Sequence, residues 1–253
     1  MAAATLARFV LLEALRSGLP RLAAAGIVVA LALAAFLSQV AVTESGALQA
    51  SVVAALLRAA VVFLVAAHVA TSTVREINDK GLELMLALPL PRRTLYLGRL
   101  AGHAAGAGVL ALVVAAPLLW WAAPGAVCLW ALSLACEAVF AAAAALFFSM
   151  TLAQLVPAMT ATAGLYLLAR SIDVLQAIAA GPLAEPSAAA QLQRVALDAV
   201  ALLVPHLGGV TRSEWLLYGL PPATDYLAGI ASLAVYSALL TAAGLFDFQR
   251  RPA

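Results

Sequence analysis

The chain has 253 residues, 65% of them hydrophobic and 10% charged, with a mean hydropathy of +1.05, which is far too apolar for a soluble domain. A net charge of +2, dispersed rather than gathered into a basic tract, argues against nucleic acid as a partner, and two cysteines without CxxC spacing, Cys128 and Cys136, argue against a disulfide framework or a zinc site. What remains is an integral membrane protein. A helix crosses a bilayer with about 20 apolar residues, so this length holds roughly six spans in one polytopic all-α domain.

In chain order, residues 1–17 place Thr5, Arg8, Glu13 and Arg16 toward one side of a helix and Leu6, Phe9 and Val10 toward the other, a pattern that suits a helix lying along the membrane surface. Spans are expected at 22–42, 50–74, 100–123, 126–149, 155–178 and 226–246. The first is longer than a signal-peptide core and starts late, so it reads as an uncleaved span. Arg8, Arg16, Arg21, Arg75, Lys80, Arg92, Arg93, Arg99, Arg250 and Arg251 all fall on one side if both termini are cytoplasmic. Trp120, Trp121 and Trp130, around the Pro124-Gly125 turn, are expected as interfacial anchors on the other face.

Residues 75–99 form a charged, proline-closed loop after the second span. Asn78 or Asp79 is expected to cap a short helix through Leu82, Leu84, Met85 and Leu86, and Pro89 and Pro91 prevent its continuation. Leu82, Met85 and Leu86 share a face by i+3 and i+4 spacing, and an exposed apolar face on a cytoplasmic loop suggests a protein partner. The bland alternative is a positive-inside loop folded against lipid.

The third span opens with Gly98, Gly102 and Gly106, a four-residue repeat that permits close helix packing, either within the subunit or between two copies. Four ionisable residues lie inside spans: Arg58, Glu137, Arg170 and Asp173. Arg58 and Glu137 sit at similar depth and are expected to pair, while Arg170 and Asp173, three apart, are expected to share one face; both sets read as structural clamps or as the lining of a cargo path. His68, His103 and His206 read as packed or interfacial histidines. Met150, Met159, Cys128 and Cys136 are scattered as adaptable packing rather than a soft-metal route, so no metal site is expected.

Residues 181–225, between the fifth and sixth spans, are expected to be an external segment. Its apolar run 195–204 is too short to span and is ended by Pro205, Gly208 and Gly209, which predicts a re-entrant or interfacial helix with Trp215 and Tyr218 at the interface. It reads as a cap over the bundle or as an exit gate.

The pattern Glu76, Gly81, Leu82, Glu83, Leu86, then Pro89 or Pro91 and Arg92, resembles the loop of ABC-2 type ABC transporter permeases. The six spans, the amphipathic start (1–18), the external excursion and the basic ending Phe246 to Arg251 are similar to that family as well. Members with related loops include multicopper-enzyme maturation, haem exporter and drug or antibiotic export permeases. The resemblance implies an interfacial elbow helix at 1–18 and a coupling helix within 75–99 that docks into a separate ATPase subunit. In that picture Leu82, Met85 and Leu86 form the apolar centre of the contact and Arg75, Glu76, Glu83 and Arg92 its polar rim. The resemblance also implies a second permease copy, giving a homodimer, export of cargo, and a bacterial inner membrane location. The single lysine, Lys80, precedes Gly-Leu-Glu, and no GxxxxGK[ST] cradle exists in the chain, so ATP and Mg are expected on the partner and no cofactor on this chain. No HExxH and no facing nucleophile and base are visible, so the chain is expected to be non-catalytic. The alternatives are an ion-coupled carrier using Glu137 and Asp173, or an assembly subunit without transport of its own.

Overall fold

The computed structural model describes residues 2–40, 45–87, 90–181 and 188–250. Among them are nine α-helices: α1 (Ala2–Arg16), α2 (Leu19–Val40), α3 (Ser45–Asn78), α4 (Gly81–Leu86), α5 (Arg92–Ala115), α6 (Pro124–Leu152), α7 (Leu155–Ala179), α8 (Ala188–Ala201) and α9 (Ala223–Arg250). Six of these segments are long and apolar enough to cross a membrane: Leu19–Gln39, Gly46–Asn78, Arg92–Trp120, Pro124–Leu152, Leu155–Ala179 and Ala223–Arg250. The chain is thus an all-α protein with the helices of a multi-pass membrane protein. α5 tightens into a 3-10 turn over Ala116–Trp120, where Pro117 has no N–H to continue the helix.

α6 is the central helix, packed against α3, α5, α7 and α9. Its run Ala141 to Ala145 is buried, because small side chains let neighbouring backbones approach where lipid removes the hydrophobic drive between helices. Most of the core joins α2, α3, α5 and α6, and a second cluster around Phe140, Ile172, Leu207 and Leu233 joins α6, α7 and α9 to the segment after α8.

Side-chain contacts fix which helix ends lie together. Arg92 donates to the carbonyls of Phe248 and Gln249 at 3.5 and 3.1 Å, the Tyr96 and Phe248 rings lie 6.0 Å apart, and Thr151 donates to Asp247 at 3.1 Å. The end of α3, α4, the start of α5 and the ends of α6 and α9 therefore share one pole of the bundle. The start of α1 joins them beside Gly98. At the opposite pole Trp121 donates to Gln49 at 2.9 Å and Tyr226 to the Leu129 carbonyl at 3.1 Å.

The tryptophans divide by environment. Trp120 is exposed, as an anchor would be, but Trp130 is fully buried in the core and Trp215 is buried edge-on against Tyr226 at 5.6 Å, so neither of these two is a surface anchor. Tyr218 is exposed. The segment after α7 forms α8 and then two 3-10 turns, Leu207–Gly209 and Ser213–Leu216, folded onto α3, α6, α7 and α9.

Candidate functional site

Two polar junctions lie at different heights in the bundle. The first surrounds α4. α3 runs on through Asn78, and the chain reverses at Lys80, whose φ of 58° is left-handed. Neither Asn78 nor Asp79 caps α4: the cap position is Lys80, without a side-chain hydrogen bond, and its carbonyl accepts from the Leu84 amide at 3.2 Å. Gly81 packs tightly, since a β-carbon there would come within 3.1 Å of the Glu76 Cγ.

The direction of α4 differs from expectation. Leu82 is buried at 7% exposure in the protein's own core, and Met85 is half-buried with its sulfur 3.4 Å from Arg99. Glu83 is exposed and Leu84 is 73% exposed. The shared face of Leu82 and Met85 therefore points into the bundle, because burying it there removes more apolar surface from water than leaving it outside. The exposed apolar side chain is thus Leu84, not Leu82, which was expected on the outward face. Leu86 ends the helix, and Pro89 lies outside the described residues.

Glu76 is likewise no part of an outer rim. It forms an ion pair with Arg99, which is 3% exposed, and so bolts α3 to α5 beside Met85. Arg92 caps the carbonyl end of α9, where a cation suits the helix dipole. Arg75 is exposed and walls a hollow between α1 and α3.

The glycine stripe has a definite occupant within the chain. A β-carbon on Gly98 would meet the Ala3 carbonyl and Leu6 at 3.1 and 3.0 Å; on Gly102 it would meet Val10 Cβ at 2.6 Å and the Ala7 carbonyl at 2.7 Å; on Gly106 it would lie 3.7 Å from Ala14 and Leu11. The rising numbers on both helices mean that α1 runs parallel to α5, seated in its glycine groove. Val10 and Ala14 are buried by this contact, while Phe9, Leu12 and Leu15 face outward. The His68 and His103 rings meet edge-on at 5.8 Å between α3 and α5, as packed histidines. No group of three or more metal-ligating side chains occurs among the described residues.

The second junction holds the intramembrane charges, in pairings other than those expected. Glu137 is fully buried; its Oε1 accepts from the Tyr166 hydroxyl at 2.7 Å and lies 3.8 Å from Arg170 Nη1, while its Oε2 has no hydrogen-bond partner. Arg170 donates to the carbonyls of Leu207 and Val210 at 2.5 and 2.9 Å, and Arg58 donates to the Thr211 carbonyl at 2.9 Å. Arg58 thus grips the loop after α8 instead of Glu137. Asp173 turns from Arg170 to His206, 3.8 Å away, and packs so closely on Gly208 that a β-carbon there would collide with its carboxylate. Two arginines therefore clamp residues 207–211 onto the bundle through backbone carbonyls, with Glu137 beside Arg170.

Sequence reasoning missed Arg99 as the partner of Glu76, Tyr166 in the acid's shell and the three carbonyl acceptors. Tyr166 stands four residues before Arg170, so their common helix face was a usable signal. Backbone carbonyls leave no trace in residue types. No protein-family model and no curated protein matches the chain.

Proposed function

We propose that this chain is the membrane subunit of an ABC-2 type transporter, forming the pathway for an exported cargo and driven by a separate ATPase. The observation that carries the reading is the placement of α4. It is a two-turn helix at the pole that also holds the described ends Ala2 and Arg250, anchored by Leu82 beneath and by the Glu76–Arg99 pair beside it, and it presents Leu84 and Glu83 outward. An anchored helix with Leu84 exposed and a charged border, here Asp79, Lys80 and Glu83, has the anatomy of a small docking knob: apolar at its centre and polar at its rim. In this reading the knob and both termini are cytoplasmic, the membrane is the bacterial inner membrane, and ATP and Mg are bound by the partner. A second copy of the chain completes the pathway.

The buried charges fit clamps better than an ion relay. Glu137 is already engaged by Tyr166 and Arg170, and Asp173 lies at a separate, half-exposed position beside His206.

Leu84→Asp tests the reading. Co-purification with the partner ATPase and stimulation of its turnover are expected to fall at least tenfold, with membrane insertion and melting temperature unchanged. Full co-purification and full stimulation by this variant would falsify the docking role of α4.

A further inference from the structure

The two hollows at the α4 pole share walls. One of about 280 Å³ runs along Glu13, Ser17, His68, Thr71, Ser72 and Arg75, and the other, about 300 Å³, continues past Glu13, Ser72 and Arg75 to Met85 and Arg99. Together they make a groove between α1 and α3. The α1–α2 turn at Ser17 and Gly18 lies toward one end and α4 at the other. Leu19, Leu22 and Leu64 line its apolar mouth.

Apart from the guanidinium groups of Arg75 and Arg99, most polar side chains of this groove offer acceptors. Ser17, Thr71 and Ser72 each spend their hydroxyl proton on a backbone carbonyl three or four residues earlier, at 2.7, 2.5 and 3.2 Å, so only lone pairs remain to face the groove, and Ser17 gives one of its own to the Leu19 amide at 3.2 Å. Glu13 adds a carboxylate. His68 also lines the groove, but its Nε2 is enclosed in the protein and offers it no acceptor. Glu76 is occupied by Arg99. The cation on the wall, Arg75, makes no ion pair with Glu13 among the described residues, although both face the same space. Opposite charges held apart across an acceptor-rich groove with an apolar mouth match a dipolar head on a hydrocarbon tail.

We infer that the groove between α1 and α3 binds a zwitterionic phospholipid whose head carries a primary ammonium. The ammonium donates to Glu13 and the hydroxyl oxygens, the phosphate lies on Arg75, and the acyl chains leave past Leu19, Leu22 and Leu64. A trimethylated head has no N–H to donate and fits the acceptor set poorly. An anionic head without an ammonium places its charge beside Glu13. The inference requires only that the helices lie in a bilayer and is independent of the proposed ATPase.

The experiment is native mass spectrometry of the full chain ejected from nanodiscs of equimolar phosphatidylethanolamine and phosphatidylcholine with identical acyl chains. The unaltered protein is expected to retain the ethanolamine lipid about tenfold over the choline lipid, the factor that one charge-assisted hydrogen bond supplies. Glu13→Gln brings that ratio close to one. Arg75→Gln lowers retention of both lipids, and Arg8→Gln on the outer side of α1 leaves the ratio intact. Equal retention of the two lipids by the unaltered protein overturns the inference without any substitution being needed. A preference that survives Glu13→Gln, or phosphatidylglycerol displacing the ethanolamine lipid at equal content, overturns it as well.

Discussion

The two junctions are held by opposite means. At the α4 pole the partners are side chains on regular helices: Glu76 on Arg99, Leu82 in the core, and α1 in a glycine groove. At the other junction the arginines of α3 and α7 grip carbonyls of an irregular loop, with Glu137 as the only acid within ion-pair distance of them among the described residues. Helix carbonyls are mostly engaged within the helix, so the helices here join mainly through side chains, with Arg92 on the carbonyls at the end of α9 as an exception at the α4 pole. An irregular segment has carbonyls to spare and needs donors, and arginine supplies several in a fixed fork. The comparison teaches that the first junction is specified by residue identity and the second by the shape of a loop.

The largest effect is expected at the second junction. Arg170→Met removes the cation beside a fully buried Glu137 and leaves the carbonyls of Leu207 and Val210 without their donor, a loss of about 3–5 kcal/mol. The measurement is denaturant unfolding in detergent, with protease cleavage within 205–212 as a local readout. Arg58→Met, which frees only the Thr211 carbonyl, should lose much less; equal losses would mean that the loop is held by something other than Arg170.

The next effect separates side-chain pairing from packing at the α4 pole. Arg99→Ala leaves Glu76, which retains 27% side-chain exposure, without its partner, so its cost should lie at or below the lower end of the same range of about 3–5 kcal/mol. Adding Glu76→Gln should recover a large part of that loss in the same unfolding assay. A double variant no more stable than the single one would show that Arg99 acts through packing alone.

The smallest effect tests the glycine groove. Gly102→Ala forces a methyl group against Val10 and the Ala7 carbonyl, an overpacking cost of about 1–3 kcal/mol, whereas Gly106→Ala meets ordinary contacts at 3.7 Å and should be close to neutral. Melting curves of the two variants make the test, and a neutral Gly102→Ala would contradict the seating of α1.

Much of the bundle was legible in the residues, and its failures share one cause. Hydropathy gives the height of each span, so all six appeared with the right order, and the glycine repeat was rightly read as packing. Rise per residue places Arg58 and Glu137 at similar depth but carries no information on the angle at which each leaves its helix. That angle sent Arg58 to Thr211 and gave Glu137 to Tyr166 and Arg170. Spacing likewise grouped Leu82 with Met85 correctly and left open whether their face pointed in or out. The bundle, by offering a core at Leu95 and Ile77, turned it in. Trp130 followed the same rule, since an indole at the end of a span can anchor to the interface or fill the middle, and neighbours decide.

α3 carries a residue of each junction on one unbroken rod: Arg58 near the loop and Glu76 near α4. About 27 Å of helix separates them, at ~1.5 Å per residue. A tilt of roughly 5° about the Glu76 end swings the Arg58 end by about 2 Å, which carries a hydrogen bond beyond the ~3.5 Å at which it ceases to count. The loop's grip is thereby geared to the angle of a single helix, with no relay of small steps in between.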